Sequence, residues 1–111
     1  MTDRTALGEF EHHVLLAVLR LGNEAFTAPI VEELESRTGR SVAPAAVYIA
    51  LRRLEKRGLV ASDLRTDDSA GSKRERRFVQ VTEAAIRQLR EARTDFHSLW
   101  DGLDALGEAQ S

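Results

Sequence analysis

Seven basic side chains, in two groups, are the residues of this sequence best suited to binding chemistry. The first group is Arg52, Arg53 and Lys56, and the second is Lys73, Arg74, Arg76 and Arg77. Guanidinium and ammonium groups donate hydrogen bonds to phosphate oxygens, and arginine also pairs with the edge of guanine. If the fold brings both groups to one surface, they indicate a nucleic-acid contact. A solvated helix face and a charged strand end are the alternatives.

The charge of the chain is uneven along its length. The net charge is −2, but residues 37–77 carry 11 basic and 5 acidic side chains, a net charge of +6. Residues 1–36 carry 2 basic and 7 acidic side chains and residues 78–111 carry 3 and 6, so these flanks have net charges of −5 and −3. A positive central segment between negative flanks is consistent with a basic surface that binds a polyanion. A solvated charged surface would give the same distribution.

The sequence contains little that supports a catalytic site or a metal site. His12 and His13 are adjacent, so on a helix they point in different directions and do not chelate together; His97 is the third histidine. The absence of cysteine excludes disulfides and thiolate metal sites. We interpret the glutamates of residues 9–11 and 32–35 as helix-face charges. Without a phosphate loop, nucleophile motif or carboxylate pair, we predict neither an enzyme nor a cofactor.

Length and hydropathy indicate one soluble domain. A chain of 111 residues can bury a core without disulfides or metals. Residues 1–11 include acidic side chains and no long apolar run, so they predict no signal peptide. The longest apolar run, Val14–Leu19, is too short to cross a bilayer. We therefore expect a cytoplasmic protein with no membrane association.

Hydrophobic periodicity predicts four helices and one hairpin. The helices are expected over about Leu7–Leu21, Thr27–Gly39, Pro44–Arg57 and Thr82–Leu106, and the strands over about Leu59–Arg65 and Arg76–Thr82. Thr27 and Thr82 are predicted N-caps, whereas Ala43 is a poor capping residue before the third helix. The polar residues 66–75 predict the loop of the hairpin.

The last predicted helix carries more apolar surface than so small a domain can cover. Its stripe runs for about six turns and includes Leu89, Phe96, Leu99, Trp100 and Leu103. Excess apolar surface predicts a second copy as the partner, hence a homodimer. In the first helix, Leu15, Leu16 and Leu19 widen the stripe and predict burial on more than one side. We divide the chain into a binding domain, residues 1–82, and a C-terminal dimerisation helix and tail, residues 83–111.

The order of the elements is that of a winged helix-turn-helix domain, mainly α with a small β-hairpin. The third helix would then enter the major groove of double-stranded DNA. If Val47 marks its buried side, the residues pointing outward or lying on the flanks are Ala45, Tyr48, Ile49, Arg52, Arg53 and Lys56. Lys73, Arg74, Arg76 and Arg77 would follow the DNA backbone or the minor groove. Alternatively, Tyr48 only edges the core with its hydroxyl in water.

Residues 47–60, VYIALRRLEKRGLV, and residues 76–84, RRFVQVTEA, resemble the PadR family of transcriptional regulators. The opening segments LGEFE and VLLAVL, and Ile30 to Leu34, are also similar, so the resemblance covers about Leu7 to Leu103. Ala43 and Ala85 depart from the family, in which serine and glycine are common at these places.

The resemblance implies a homodimer held by the C-terminal helix, repression by operator binding, and release by a small molecule or another signal. The family's conserved tyrosine of the DNA-contacting helix falls on Tyr48, and its basic wing falls on residues 73–77. Some small members bind aromatic compounds between paired tryptophans of the last helix. Trp100 lies in a similar region and is a candidate ligand contact, although an interface aromatic needs no ligand.

Two other functions are compatible with the same fold. A winged helix can bind protein without binding DNA, in which case the outer face of the third helix should be neutral; Arg52, Arg53 and Lys56 argue against this. A ligand-sensing dimer whose DNA role is secondary is the other alternative. Quenching of Trp100 fluorescence by aromatic compounds would distinguish it, since Trp100 is the only tryptophan.

Overall fold

The computed structural model describes residues 7–67, 71 and 73–103. In chain order the elements are α1 (Glu9–Leu21), a 3₁₀ turn (Gly22–Glu24), α2 (Thr27–Thr38), α3 (Pro44–Lys56), β1 (Val60–Asp67), β2 (Arg74–Val81) and α4 (Glu83–Trp100). The predicted fold class, mainly α with a small hairpin, is confirmed. Within these described residues, no helix is both long enough and apolar enough to cross a bilayer.

Local backbone chemistry explains where the helices begin and end. Pro44 starts α3 because its missing N–H would have no partner in the first turn; Ala43 precedes it without a side-chain capping bond. After α2, Gly39 adopts φ 71°, a left-handed conformation that glycine takes without strain. The prediction that Thr27 caps α2 is wrong. Phe26 occupies the N-cap without a side-chain bond, and Thr27 is the first helical residue.

The hairpin is longer than predicted. β1 and β2 pair antiparallel from Val60 opposite Val81 to Asp67 opposite Arg74, so the connection shortens to residues 68–73. Some of the polar residues predicted for the loop therefore belong to the strands. Each added pair of residues lets further backbone N–H and C=O groups form hydrogen bonds between the strands. The N–H of Val79 also donates to the carbonyl of Ala25 at 2.9 Å. That bond attaches the hairpin to the segment between α1 and α2.

The core lies between the first three helices and the base of the hairpin. Its fully buried large side chains are Val14, Leu15, Val18, Ile30, Val47, Leu54 and Leu59. The predicted inner stripe of α3 is buried as expected: Val47, Ala50, Leu51 and Leu54. Burying side chains of this size stabilises the fold by about 1.5–3 kcal/mol each. The core therefore holds α3 in a fixed rotation about its axis.

Thr82 links the end of the hairpin to the start of α4. As predicted, it is the N-cap: its hydroxyl oxygen accepts a hydrogen bond from the N–H of Ala85 at 3.3 Å. The same hydroxyl donates to the carbonyl of Gly58 at 2.8 Å. The start of α4 is thereby tied to the segment that follows α3.

Much of the apolar stripe of α4 is uncovered in the single chain. The helix ends at Trp100 and not near Leu106, which lies outside the described residues; Leu103 is in a turn beyond the helix. The side chains exposed along it are Phe96, Leu99, Trp100 and Leu103. The prediction that α1 is buried on more than one side is wrong for the single chain. Leu15 is buried, but Leu16 and Leu19 are exposed.

Candidate nucleic-acid interface

Helix α3 presents opposite faces to the core and to solvent. All six of its predicted DNA-facing residues are exposed: Ala45, Tyr48, Ile49, Arg52, Arg53 and Lys56. A helix turns by about 100° per residue, so the burial of Val47 and Leu54 dictates this orientation. The predicted outward direction is confirmed, and contact with DNA remains a prediction.

Tyr48 and Arg52 lie one turn apart on this face and interact. Nη1 of Arg52 donates a hydrogen bond to the Tyr48 hydroxyl oxygen at 3.2 Å, and the guanidinium carbon lies 5.9 Å from the ring centre. A tyrosine hydroxyl that accepts this bond keeps its own proton as a donor, and the guanidinium keeps further N–H donors. The pair therefore offers a preordered set of donors suited to phosphate oxygens or base edges.

A chain of hydrogen bonds connects α3 to the hairpin. The Ser62 hydroxyl on β1 donates to Oε2 of Glu55 on α3 at 2.8 Å, and Nη1 of Arg77 on β2 donates to the Ser62 oxygen at 3.2 Å. A cleft of about 360 Å³ between these elements is lined by Tyr48, Arg52, Glu55, Lys56 and Arg77. The two basic groups of the sequence therefore meet, through Arg77, on one surface.

The remaining basic residues of the hairpin have two environments. Lys73 and Arg74 are exposed. Arg76 is partly buried: its Nε donates to Oδ2 of Asp67 at 2.8 Å, and its guanidinium carbon lies 4.7 Å from the centre of the Phe26 ring. An internal ion pair compensates part of the charge of Arg76. Phosphate contact by Lys73, Arg74 and Arg76 remains a prediction.

Two aromatic rings in contact, each covered by an arginine, help to hold the hairpin against the helical body. The guanidinium carbon of Arg65 lies 3.8 Å from the centre of the Phe78 ring. The Phe78 ring meets that of Phe26 edge to face, with centres 5.1 Å apart, and Arg76 covers Phe26. Arg65 also donates from Nη2 to the carbonyl of Asn23 at 3.1 Å. Each cation–π contact contributes about 0.5–2 kcal/mol, so this stack helps to set the angle of the hairpin.

Glu55, Ser62 and Arg65 are candidate functional residues that the sequence pattern does not single out. Their roles depend on strand register, which places Ser62 opposite Val79 and Arg65 opposite Arg76. A one-residue shift of register would move each side chain to the other face of the hairpin. Alternation of side chains along β1 predicts which residues share a face of the hairpin. It does not predict which residues of β2 lie opposite them, because that depends on the length of the turn.

A second, apolar groove runs between α1 and α4. It has a volume of about 1140 Å³, and its apolar lining includes Leu16, Leu19, Leu89, Phe96 and Trp100. Leu16 and Leu19 are 42% and 45% exposed, and Phe96 and Trp100 are 58% and 54% exposed. Contiguous apolar surface of this kind usually marks an interaction site. Three of the predicted dimer-interface residues, Leu89, Phe96 and Trp100, thus line one groove.

Ionisable side chains border this groove. His12, His13 and His97 line it together with Arg90 and Arg93. Burial, reinforced by the charge of His13, holds the pKa of His12 below its ordinary value of 6.5. Over residues 7–67, 71 and 73–103, no three His, Cys, Asp or Glu side chains are grouped so as to hold a metal ion.

Three helices, a hairpin that flanks the exposed face of α3, and a fourth helix define a winged helix-turn-helix protein. The family model of the PadR-like transcriptional regulators matches residues 15–91, from within α1 to within α4. The chain belongs to this family and is a PadR-like transcriptional regulator. The family resemblance of the sequence is thereby confirmed.

Solved structures of related regulators have the same architecture. A PadR family transcriptional regulator from Eggerthella lenta is 30% identical over 87% of this chain and 85% of that chain, with a TM-score of 0.61. A PadR-like regulator from Bacillus cereus is 18% identical over 87% and 89% of the two chains, with a TM-score of 0.71.

The fold also matches ZitR from Lactococcus lactis, a zinc-responsive MarR family member. A ZitR mutant in complex with DNA is 22% identical over 98% of this chain and 66% of that chain, with a TM-score of 0.61. This likeness, like that to the Bacillus cereus regulator, shows the fold alone. No match was found among proteins of curated function.

Proposed function

We propose that this protein is a repressor that binds double-stranded DNA sequence-specifically. The observation that carries the proposal is the shared cleft in which Tyr48, Arg52 and Lys56 of α3 meet Arg77 of β2. Donors from two elements converge there on one side of the molecule, as contact with a phosphate backbone requires. Membership in a family of transcriptional regulators supports the proposal, as does the DNA complex of the fold neighbour ZitR.

In this proposal α3 enters the major groove and the hairpin follows the backbone. The residues of α3 that would contact DNA are Ala45, Tyr48, Ile49, Arg52, Arg53 and Lys56, all of them exposed. Arg77 would contact a phosphate beside α3, and Lys73, Arg74 and Arg76 would contact the backbone or the minor groove farther along the hairpin. Phosphate contacts would position the protein, and base contacts from α3 would specify the sequence.

The proposed repressor acts as a homodimer in which a second copy covers the groove between α1 and α4. The support is the exposure of Leu16, Leu19, Phe96 and Trp100 around it, together with exposed Leu99 and Leu103 nearby. In a two-fold dimer the same patch meets itself, and each protomer places one α3 in a major groove. The operator would then contain two inverted half-sites about 34 Å apart, or a multiple of that distance.

Release from DNA would follow the binding of a small molecule at the dimer interface. The support is the exposed ring of Trp100, which offers a stacking surface to an aromatic compound beside the second copy. A ligand releases DNA only if it binds better to a dimer whose two α3 helices are misplaced for the operator. As a transcriptional regulator the protein would act in the cytoplasm.

Fluorescence anisotropy of a labelled duplex from upstream of the protein's own gene tests the proposal. The duplex is titrated at several salt concentrations beside a scrambled duplex of the same composition. Tight binding to the native duplex that weakens steeply with salt is the expected result. Absence of binding to either duplex at low salt would overturn the proposal and favour a protein-binding winged helix. Equal weak binding to both would contradict the assignment of the operator to that DNA.

A further inference from the structure

Ile49 is a large apolar side chain exposed in the middle of the basic face of α3. It is 49% exposed, and Ala45, one turn earlier on the same face, is also exposed. We propose that Ile49, assisted by Ala45, contacts thymine 5-methyl groups in the major groove and thereby selects T·A pairs in each half-site. This inference rests on the proposed DNA binding and adds the chemical basis of base selection.

The chemistry of the major groove restricts what Ile49 can contact. Base edges there present hydrogen-bond donors and acceptors, which isoleucine cannot pair with, and one apolar group, the thymine 5-methyl. An isoleucine pressed against polar base edges would leave them unsatisfied, whereas contact with a methyl group removes apolar area from water on both partners. Cytosine has no 5-methyl group, so the contact distinguishes a T·A pair from a C·G pair.

The position of Ile49 within α3 favours DNA over a protein partner. Arg52 and Arg53 lie three and four residues after it and are exposed on the same side of the helix. A protein partner that covered Ile49 would have to desolvate these cations, whereas DNA places phosphates where cations beside a recognition helix can reach them. The small side chains of Ala45 and Ala46 at the start of α3 allow that end of the helix to approach the base edges closely.

Substitution of single thymines by uracil tests the inference, because it removes only the 5-methyl group. Duplexes are first selected from a random-sequence pool with the unaltered protein, and each thymidine is then replaced singly by deoxyuridine. We expect at least one position per half-site at which the replacement weakens binding about fourfold, the value of one buried methyl group. Ile49→Ala should bind the thymine duplex more weakly by a similar factor and should no longer distinguish uracil from thymine there. Thymidines outside the half-sites are the matched control.

The outcomes separate this inference from the proposed function. If the selected duplexes bind tightly but uracil is neutral at every position, the inference is wrong and the DNA-binding function stands. If uracil weakens both proteins equally, another feature of the complex senses the methyl group and the assignment to Ile49 is wrong. If no duplex can be selected, both the inference and the proposed function are wrong. The comparison within the unaltered protein does not depend on the folding of the variant.

Discussion

The Ser62 hydroxyl donates a 2.8 Å hydrogen bond to the Glu55 carboxylate, and this contact joins the first strand of the hairpin to α3. The same oxygen accepts a bond from Arg77 on the second strand at 3.2 Å. Glu55 is an acidic residue in a basic surface, and its negative charge opposes contact with phosphate. Its bond to Ser62 explains its presence there: it positions the hairpin, and with it the guanidinium of Arg77, relative to α3.

Ser62→Ala should therefore weaken DNA binding by about fivefold while lowering the free energy of unfolding by only about 1 kcal/mol. The substitution removes both hydrogen bonds but no apolar contact, so the hairpin keeps its fold while Arg77 loses the bond that positions its guanidinium beside α3. Anisotropy titrations and chemical denaturation measure the two effects. Ser36→Ala, at an exposed position of α2, is the control. Equal affinities of the two variants would rule out the positioning role of Ser62.

Arg77→Ala should lower both the affinity for DNA and its dependence on salt. Loss of one phosphate contact reduces the slope of log K against log salt by about 0.9. Arg87→Ala removes the same charge from an exposed position on α4 that does not line the cleft between α3 and the hairpin, and should leave the slope unchanged. Anisotropy titrations over a range of salt concentrations compare the two variants. Identical slopes would show that Arg77 does not contact a phosphate.

Tyr48→Phe removes the hydroxyl that accepts the bond from Arg52 at 3.2 Å. Because the ring stays and the side chain is 51% exposed, we expect an unchanged melting temperature and a loss of affinity of about threefold to tenfold. The effect should be smaller in an Arg52→Ala background, since the two groups act as a pair. Additive losses in the double variant would mean that the residues act independently.

Phe96→Glu should convert the proposed dimer into a monomer. A second copy seated on the groove between α1 and α4 would take the new carboxylate out of water at a cost of several kcal/mol, which Arg90 and Arg93 at the same groove would offset only in part. Thr94→Glu introduces the same charge on an exposed position of α4 that does not line the groove, and it should remain dimeric. Sedimentation velocity gives the mass of each species. A dimeric Phe96→Glu variant would move the interface away from this groove.

The unfolding free energy should fall as the pH drops below about 6.5. Burial, followed by the charge of His13, lowers the pKa of His12 in the folded protein below 6.5, so below that pH the unfolded chain binds the proton more readily. The stabilisation is thus complete above the unfolded-state pKa and is lost below it. Denaturation at about pH 7.5 and about pH 5.5 measures the decline.

His12→Gln should reduce that decline, whereas Ser36→Ala, which changes an exposed side chain of α2 that does not titrate, should not. Equal declines in the two variants and the unaltered protein would exclude His12 as the group responsible. Repeating the measurements at two protein concentrations shows whether dimerisation contributes to the decline.

Local patterns in the sequence were sufficient to predict the element order and the orientation of α3. The positions of Val47, Leu51 and Leu54 identify the buried side of a helix of 3.6 residues per turn, so the outward direction of Ile49 and Arg52 follows without knowledge of neighbours. Residue type and the adjacent sequence also predicted Thr82 as an N-cap, although the same rule was wrong at Thr27, where Phe26 is the N-cap. The charge of the central segment was likewise visible before any fold was known.

The assembly of the site was decided only by the tertiary structure. Register determines that Ser62 reaches Glu55 and that Arg76 pairs with Asp67, and register depends on a turn length that the polar loop residues leave open. The groove beside Trp100 depends on the packing of α1 and α4, which are far apart in the chain. Sequence periodicity is a property of one element at a time, whereas hydrogen bonds between strands and the coverage of apolar faces depend on contacts between elements. The sequence alone therefore determined which side of each helix or strand is apolar or charged. The tertiary structure determined which of these sides contact each other.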